Sequence, residues 1–106
     1  MVNATGAALP VGWGVTVGLT PVIAIPQNAS RQAIMFVNAS TVGAIAICPA
    51  VVNLGAGPVP GVPGINAPGS ITMQPGDKFI VDTLNCTTAW NAIASATGLA
   101  LTILES

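Results

Sequence analysis

Short apolar runs separated by turn residues leave this chain few folds to adopt. The runs alternate with clusters of Pro, Gly, Asn and Ser. The Pro75-Gly76 pair is typical of the centre of a β-turn over residues 74–77. The pattern predicts about eight short strands, at residues 13–18, 20–25, 31–40, 44–48, 70–73, 78–82, 88–96 and 99–105. Residues 88–96 are Ala-rich, so a short helix is the alternative there. We therefore predict an all-β, single-domain sandwich or jelly-roll-like barrel.

The third predicted strand has apolar side chains on both of its faces. Ile34 and Phe36 share one face, and Met35 and Val37 share the other, because side chains alternate along a strand. Such a strand is expected in the middle of a sheet, with both faces covered.

Two segments depart from the strand pattern. Residues 1–12 hold small residues, a proline and two glycines, and we predict an extended N-terminal arm there, with the β-sandwich domain at 13–106. Within that domain we predict a Pro/Gly-rich loop at about 49–69. Its part at 55–69 reads GAGPVPGVPGINAPG, in which nine of the 15 residues are Gly or Pro and none is charged. A loop so apolar either contacts a neighbouring molecule or folds over the end of its own barrel.

Charge is scarce along the whole chain. Charged residues make up 5% of the 106 residues and the net charge is -1, against about 25% charged residues in an ordinary soluble domain. One Arg and one Lys form no basic patch, so we do not expect nucleic acid as a partner. A surface of this kind is typical of proteins that are covered by partners.

Catalytic groups are equally scarce. The chain has no His, and its carboxylates, Asp77, Asp82 and Glu105, show no spacing suited to paired acid–base work. Two cysteines without His do not complete a zinc site. We therefore expect no enzyme activity, no metal and no cofactor. Cys48 and Cys86 are either a disulfide or separate buried thiols.

Membrane and export signals are not predicted. No window supplies about 18 uninterrupted apolar residues, although the mean hydropathy is +0.78. The first residues lack the positive region of a secretory signal. We expect a protein made in a cytoplasm, with no membrane partner.

The four aromatic residues and the single Arg divide between core and interface. Phe36, Phe79 and Trp90 fall in apolar strands and are expected in the core. Trp13 follows the arm and is a candidate interface anchor, because Trp is enriched at binding hot spots. Arg31 is either a solvated strand end or the partner of Asp82 or Glu105, within the chain or between subunits.

Five short motifs between residues 29 and 105 resemble a group of small phage virion structural proteins. In order, they are an Arg-led hydrophobic strand ending in Asn, a short apolar strand, a Pro-Gly turn, a Trp-x-Ala strand and a closing strand ending in Glu. Here these are Arg31 to Asn38, Ile45 to Ile47, Met73-Gln74-Pro75-Gly76, Trp90-Asn91-Ala92 and Leu101 to Glu105. The arm lies outside the resemblance, and the long Pro/Gly segment is not part of the pattern.

The resemblance implies a β-sandwich that binds the outside of a phage capsid and stabilises it, as decoration (cement) proteins do. It implies the major capsid protein and further copies of the chain, as a homotrimer, as partners, and the virion surface as its location. The alternative is a head or tail fibre or spike-type domain that contacts the host surface. The predicted interface candidates are Leu9, Pro10, Trp13, Arg31, Pro58, Val59, Pro60, Val62, Pro63 and Ile65.

Overall fold

The structure, a computed structural model, describes residues 11–82 and 84–106 of the chain. It is all-β, as predicted, with ten strands and one short 3-10 helix (Leu84–Thr87) among the described residues. The strands are β1 (Val11–Val17), β2 (Val22–Ile25), β3 (Ile34–Asn38), β4 (Ile45–Pro49), β5 (Val51–Asn53), β6 (Pro58–Pro60), β7 (Ile71–Met73), β8 (Lys78–Val81), β9 (Trp90–Ala94) and β10 (Leu99–Glu105). Residues 1–10 of the predicted arm lie outside the described residues.

Eight of the strands form two four-stranded antiparallel sheets in the order of a jelly roll. Sheet A runs β1-β10-β3-β8 and sheet B runs β2-β9-β4-β7. The chain passes back and forth between the sheets, so that strands distant in sequence, such as β1 and β10, become neighbours. The first and last strands therefore pair with each other in one sheet, and the sandwich predicted from the turn spacing is confirmed.

One local prediction differs from the structure. Residues 49–69 were expected to be a loop, but β4 extends to Pro49 and β5 and β6 form a separate hairpin. The sequence did not predict the hairpin, because proline has no N–H to donate to a β-ladder and therefore counts against a strand. Gly61 N–H donates to the Ala50 carbonyl at 2.7 Å. Because backbone N–H groups alternate in direction along a strand, the nitrogens of residues 59 and 61 point toward β5, and those of Pro58 and Pro60 point away from it. Residues 90–94 form a strand, as predicted, and not the alternative helix.

The core lies between the two sheets and is built by alternation. Ile34 and Phe36 point inward from β3, and Leu101 and Ile103 point inward from β10; all four are fully buried. The Phe36 and Trp90 rings meet across the core, with centroids 5.4 Å apart and a tilted arrangement that suits aromatic pairs. Burying one side chain of this size stabilises a fold by about 1.5–3 kcal/mol, which favours one register for each strand.

One buried polar residue ties the two sheets together. Asn38, at the end of β3, is fully buried, and its Nδ2 donates to the carbonyl oxygens of Met73 (2.8 Å) and Gly43 (2.9 Å). Its Oδ1 accepts from the backbone N–H and the hydroxyl of Ser40. Met73 belongs to sheet B, so this amide fixes the spacing of the sheets at that end of the sandwich.

The predicted turn at residues 74–77 is confirmed. Asp77 N–H donates to the Gln74 carbonyl at 2.9 Å, and the Asp77 carboxylate accepts from Gln74 N–H at 2.9 Å. Gly76 has φ 86°, a left-handed value that glycine adopts without steric cost. The turn carries the chain from sheet B back to sheet A.

Candidate interaction surfaces

The outer face of sheet B is covered by the chain itself at β4, whereas Ile23 on the edge strand β2 is 68% exposed. Ala46 and Cys48 point outward from β4, yet both are buried. The segment that follows the β5–β6 hairpin, residues 61–69, lies over them: a Cβ placed on Gly61 would lie 2.9 Å from the Cys48 sulfur. Gly61 and Pro63 are themselves buried. We call residues 61–69 the covering segment.

Three hydrogen bonds hold the covering segment to polar side chains on β9, on β7 and directly before β7. Asn91 Nδ2 donates to the Gly61 carbonyl at 3.1 Å. The backbone N–H of residue 64 donates to the Ser70 hydroxyl at 3.1 Å, and that of residue 66 donates to the Thr72 hydroxyl at 2.8 Å. The apolar Pro/Gly stretch thus folds over its own domain in this part, which was one of the two alternatives for the loop.

The outer face of sheet A is apolar and lies open. Register places Leu104, Met35 and Ile80 in one row across β10, β3 and β8, and Val37 lies in the next row. We call these four residues the sheet A face. Ile80 is 58% exposed and Leu104 is 37% exposed, and no described segment covers them. The Leu104 side chain lies over Gly12 of β1, where a Cβ would be only 2.7 Å from Leu104 Cδ2. The lack of a side chain at Gly12 thus lets the apolar face extend over β1.

The sequence did not identify the sheet A face as an open surface, although Met35 and Val37 were recognised as a second apolar face of β3. Met35 and Val37 were expected under a second covering layer, but both are half-buried, shielded only by neighbours in the same sheet. Among the described residues, the exposed charges near this face lie on the edge strand β8 and directly beside it, at Asp77, Lys78 and Asp82. The face is therefore a broad aliphatic surface with charges at one edge.

The predicted interface candidates separate into different environments. Trp13 is half-buried on β1 and packs against the core. Pro58, Val59 and Pro60 are exposed on the β5–β6 hairpin and Val62 is exposed just after it, whereas Pro63 is buried and Ile65 is half-buried in the covering segment. Leu9 and Pro10 lie outside the described residues. The hairpin and the sheet A face are thus separate surfaces.

Arg31 is a buried residue and not a solvated strand end. It is 3% exposed, and its Nε lies 3.3 Å from Glu105 Oε2, an ion-pair distance without hydrogen-bond geometry. Both terminal nitrogens donate to the Pro26 carbonyl. Burial lowers the pKa of the Arg31 guanidinium and the Glu105 carboxylate raises it. Of the partners expected from the sequence, the structure places Glu105 beside Arg31.

The cysteines are free and buried, as in the second of the two alternatives. Cys86 Sγ donates to the Arg31 carbonyl at 3.4 Å, and Cys48 Sγ donates to the Pro49 carbonyl at 3.3 Å. Burial raises the pKa of the Cys48 thiol, an effect partly opposed by a hydrogen bond with Ser70. Cys86 is therefore a small group of the core, and Cys48 is a small apolar group packed under the covering segment.

An open cleft of about 350 Å³ lies between the edge strands β7 and β8. It is lined by Pro49, Gly69, Ile71, Phe79, Ile80, Val81, Asp82 and Trp90. Asp82 is its one ionisable lining residue, so the cleft holds no pair for acid–base chemistry. Within the described ranges, no group of three His, Cys, Asp or Glu side chains is placed to hold a metal ion, and no helix is long and apolar enough to cross a membrane.

Comparison of the chain with protein-family models, with curated proteins and with solved structures finds no match. The fold and the surfaces described above are therefore the basis for functional inference. They define an all-β jelly roll in which the chain itself covers the β4 region of one outer face, while no described segment covers the other face.

Proposed function

We propose that this protein is a structural virion protein that binds the outside of a phage capsid and stabilises it. The observation that carries the proposal is the contrast between the two outer faces. At β4 the outer face of sheet B is covered by the chain's own residues 61–69, which leave only the edge residue Ile23 exposed as a large aliphatic side chain of that sheet, whereas the sheet A face is aliphatic and no described segment covers it. An exposed apolar patch of this kind is typical of a surface that meets another protein.

Low charge makes such a face suited to burial. Met35, Val37 and Leu104 bring no ion that must be stripped of water on docking, and desolvation of ions is the main cost of burying charged surface. Each contact gains only the free energy of its apolar area, roughly 25 cal/mol per Å². Repetition of the same contact over a symmetric shell multiplies this modest gain by avidity.

The motif resemblance supplies the phage shell as the surface, with the major capsid protein as the partner. The homotrimer that the resemblance implies stays a prediction. So does the absence of enzyme activity, which the scarcity of ionisable groups favours.

The copy number in purified particles tests the proposal most directly. We expect hundreds of copies per particle, measured as the stained-gel band ratio against the major shell protein, with the band identified by intact mass. A few tens of copies or fewer would contradict a shell-wide role and favour the fibre or spike alternative. Absence from the particle would contradict both.

A point variant tests whether the sheet A face is the docking surface. Ile80→Asp places a carboxylate at the β8 end of the exposed row and leaves the core untouched, because Ile80 points outward. We expect about tenfold weaker binding of added protein to stripped particles. The matched control is Val42→Asp, at a residue 77% exposed in the β3–β4 connection, which should bind as wild type does. Equal binding of both variants would exclude this face.

A further inference from the structure

We propose that the free edge of β1 pairs antiparallel with β1 of a second copy of the chain, about a two-fold axis at Gly14. β1 is an outer strand of sheet A and pairs with β10 along its whole length on one side. No described strand lies on its other side. This inference concerns self-association, does not rest on the proposed function, and is an alternative to the homotrimer that the motif resemblance implies.

The other three sheet edges each carry a device that discourages pairing. β2 lies between Pro21 and Pro26 and has a register shift between Ile23 and Ile25. β7 is three residues long, and β8 carries the exposed charge of Lys78. Short strands, prolines, irregular register and edge lysines are the means by which natural sheets avoid edge-to-edge contact.

β1 has none of these devices. It is seven residues long, reads VGWGVTV, and contains no proline and no charge. Its exposed positions on the outer face are Gly12, Gly14 and Thr16, which leave the backbone accessible from that side. A long, uncharged edge of this kind presents a row of main-chain donors and acceptors to a second strand.

The sequence of β1 is complementary to itself about Gly14. In an antiparallel pair centred there, Gly14 faces Gly14 of the second copy, and Trp13 faces Val15 of the second copy. Trp13 and Val15 both point toward the sandwich interior yet are only half-buried, because they sit at the open edge. Pairing would complete their burial, and a partly exposed Trp is a frequent hot spot at interfaces.

A second copy fits this edge better than an unrelated strand does, because the symmetry doubles every contact. A two-fold interface uses the same patch on both subunits, so the two Trp13–Val15 contacts are equivalent. Sheet A then continues into sheet A of the second copy as one eight-stranded sheet, and the two sheet A faces, each with Met35 and Ile80, become parts of one surface.

The experiment measures the mass of the purified full chain in solution at concentrations up to about 100 μM, by light scattering and sedimentation. The expected mass is twice the chain mass of 10.4 kDa. Gly14→Lys puts two ammonium groups opposite each other at the axis, and a Cβ at Gly14 meets no atom within 4 Å, so the monomer fold has room for it. We expect the dissociation constant to rise about fivefold or more.

Three further samples complete the experiment. Gly14→Glu alone should be weakened like Gly14→Lys, and an equimolar mixture of the two should recover the two-copy mass, because opposite charges then face each other. Gly14→Ser and Ala56→Lys, the latter on the exposed hairpin tip, should behave as wild type. A monomeric wild type, an oligomer insensitive to Gly14→Lys, or a mixture that does not recover would overturn the proposal.

Discussion

Arg31 Nε lies 3.3 Å from Glu105 Oε2, and this ion pair joins the segment before β3 to the end of β10. The Arg31 side chain is fully buried and that of Glu105 is 16% exposed. The Pro26 carbonyl accepts from both terminal nitrogens of the same guanidinium. A single cation therefore holds the β2–β3 connection together and joins it to the end of β10.

Removal of the carboxylate should leave a buried charge with one carbonyl as its support. We expect Glu105→Gln to lower the free energy of unfolding by about 2–3 kcal/mol, since breaking a buried pair costs more than the pair contributes. Urea denaturation measures the change. Asp82→Asn removes an exposed carboxylate and should change the same quantity by less than about 0.5 kcal/mol. Similar values for the two variants would contradict a structural role for the pair.

Asn38 should tolerate no change in its side-chain amide. In Asn38→Asp the Nδ2 donor becomes an oxygen that faces the Met73 and Gly43 carbonyl oxygens in a buried site. We expect a loss of about 3 kcal/mol or more at pH 7, measured by urea denaturation. Asn53→Asp, at an exposed position of the hairpin, is the matched control and should be near neutral.

The covering segment should loosen if Gly61 gains a side chain. In Gly61→Ala the new Cβ would overlap the Pro49 carbonyl and crowd the Cys48 sulfur, so residues 61–66 must move away from sheet B. We expect a cost of about 1–3 kcal/mol and faster amide hydrogen exchange at residues 64 and 66. Gly18→Ala, where a Cβ meets no atom within 4 Å, should leave both measurements unchanged.

The turn at residues 74–77 should depend on backbone conformation alone. A Cβ on Gly76 meets no atom within 4 Å, but φ there is 86°. We expect Gly76→Ala to cost about 1 kcal/mol in thermal or urea unfolding, from strain without any clash. Gly18→Ala has the same open space at an ordinary φ and again serves as the comparison. Equal stability of the two variants would argue against strain at this turn.

The Cys48 thiol should make stability fall at alkaline pH. Because burial raises its pKa in the folded state, the folded chain keeps a proton that the unfolded chain loses above about pH 8.5. The contribution is therefore complete below that pH and is lost as pH rises toward the folded pKa. We expect urea denaturation between pH 8 and 10 to show a steeper decline for wild type than for Cys48→Ala. Parallel curves would contradict the assignment.

Much of the fold follows from local sequence signals, because each jelly-roll strand carries its own alternation and is bounded by turn residues. The Pro-Gly turn before Asp77 and the core positions of Phe36 and Trp90 are of this kind. A strand whose two faces are both apolar, such as β3, is ambiguous. Alternation reports two apolar faces but does not say whether a second layer covers the outer one.

The surfaces could not be predicted because they depend on contacts distant in sequence. The partner of Arg31 is 74 positions away, and the choice between Asp82 and Glu105 depends on the register of β10 against β3. The β5–β6 hairpin was not predicted because its prolines count against a strand. Proline is compatible with a strand only where its nitrogen points away from the partner strand, and the sequence does not show that direction. The row of Leu104, Met35 and Ile80 likewise exists only once three strands are aligned.

The β5–β6 hairpin has a consequence for how this protein can vary. Its turn, residues 54–57, projects from a two-stranded unit that is separate from both main sheets, and Leu54 there is 59% exposed. Lengthening a flexible turn costs little, since closure entropy grows only slowly with loop length. Foreign peptides inserted at this tip would interrupt no strand of either main sheet, so the jelly roll is a scaffold on which a new recognition sequence can be carried without altering its core.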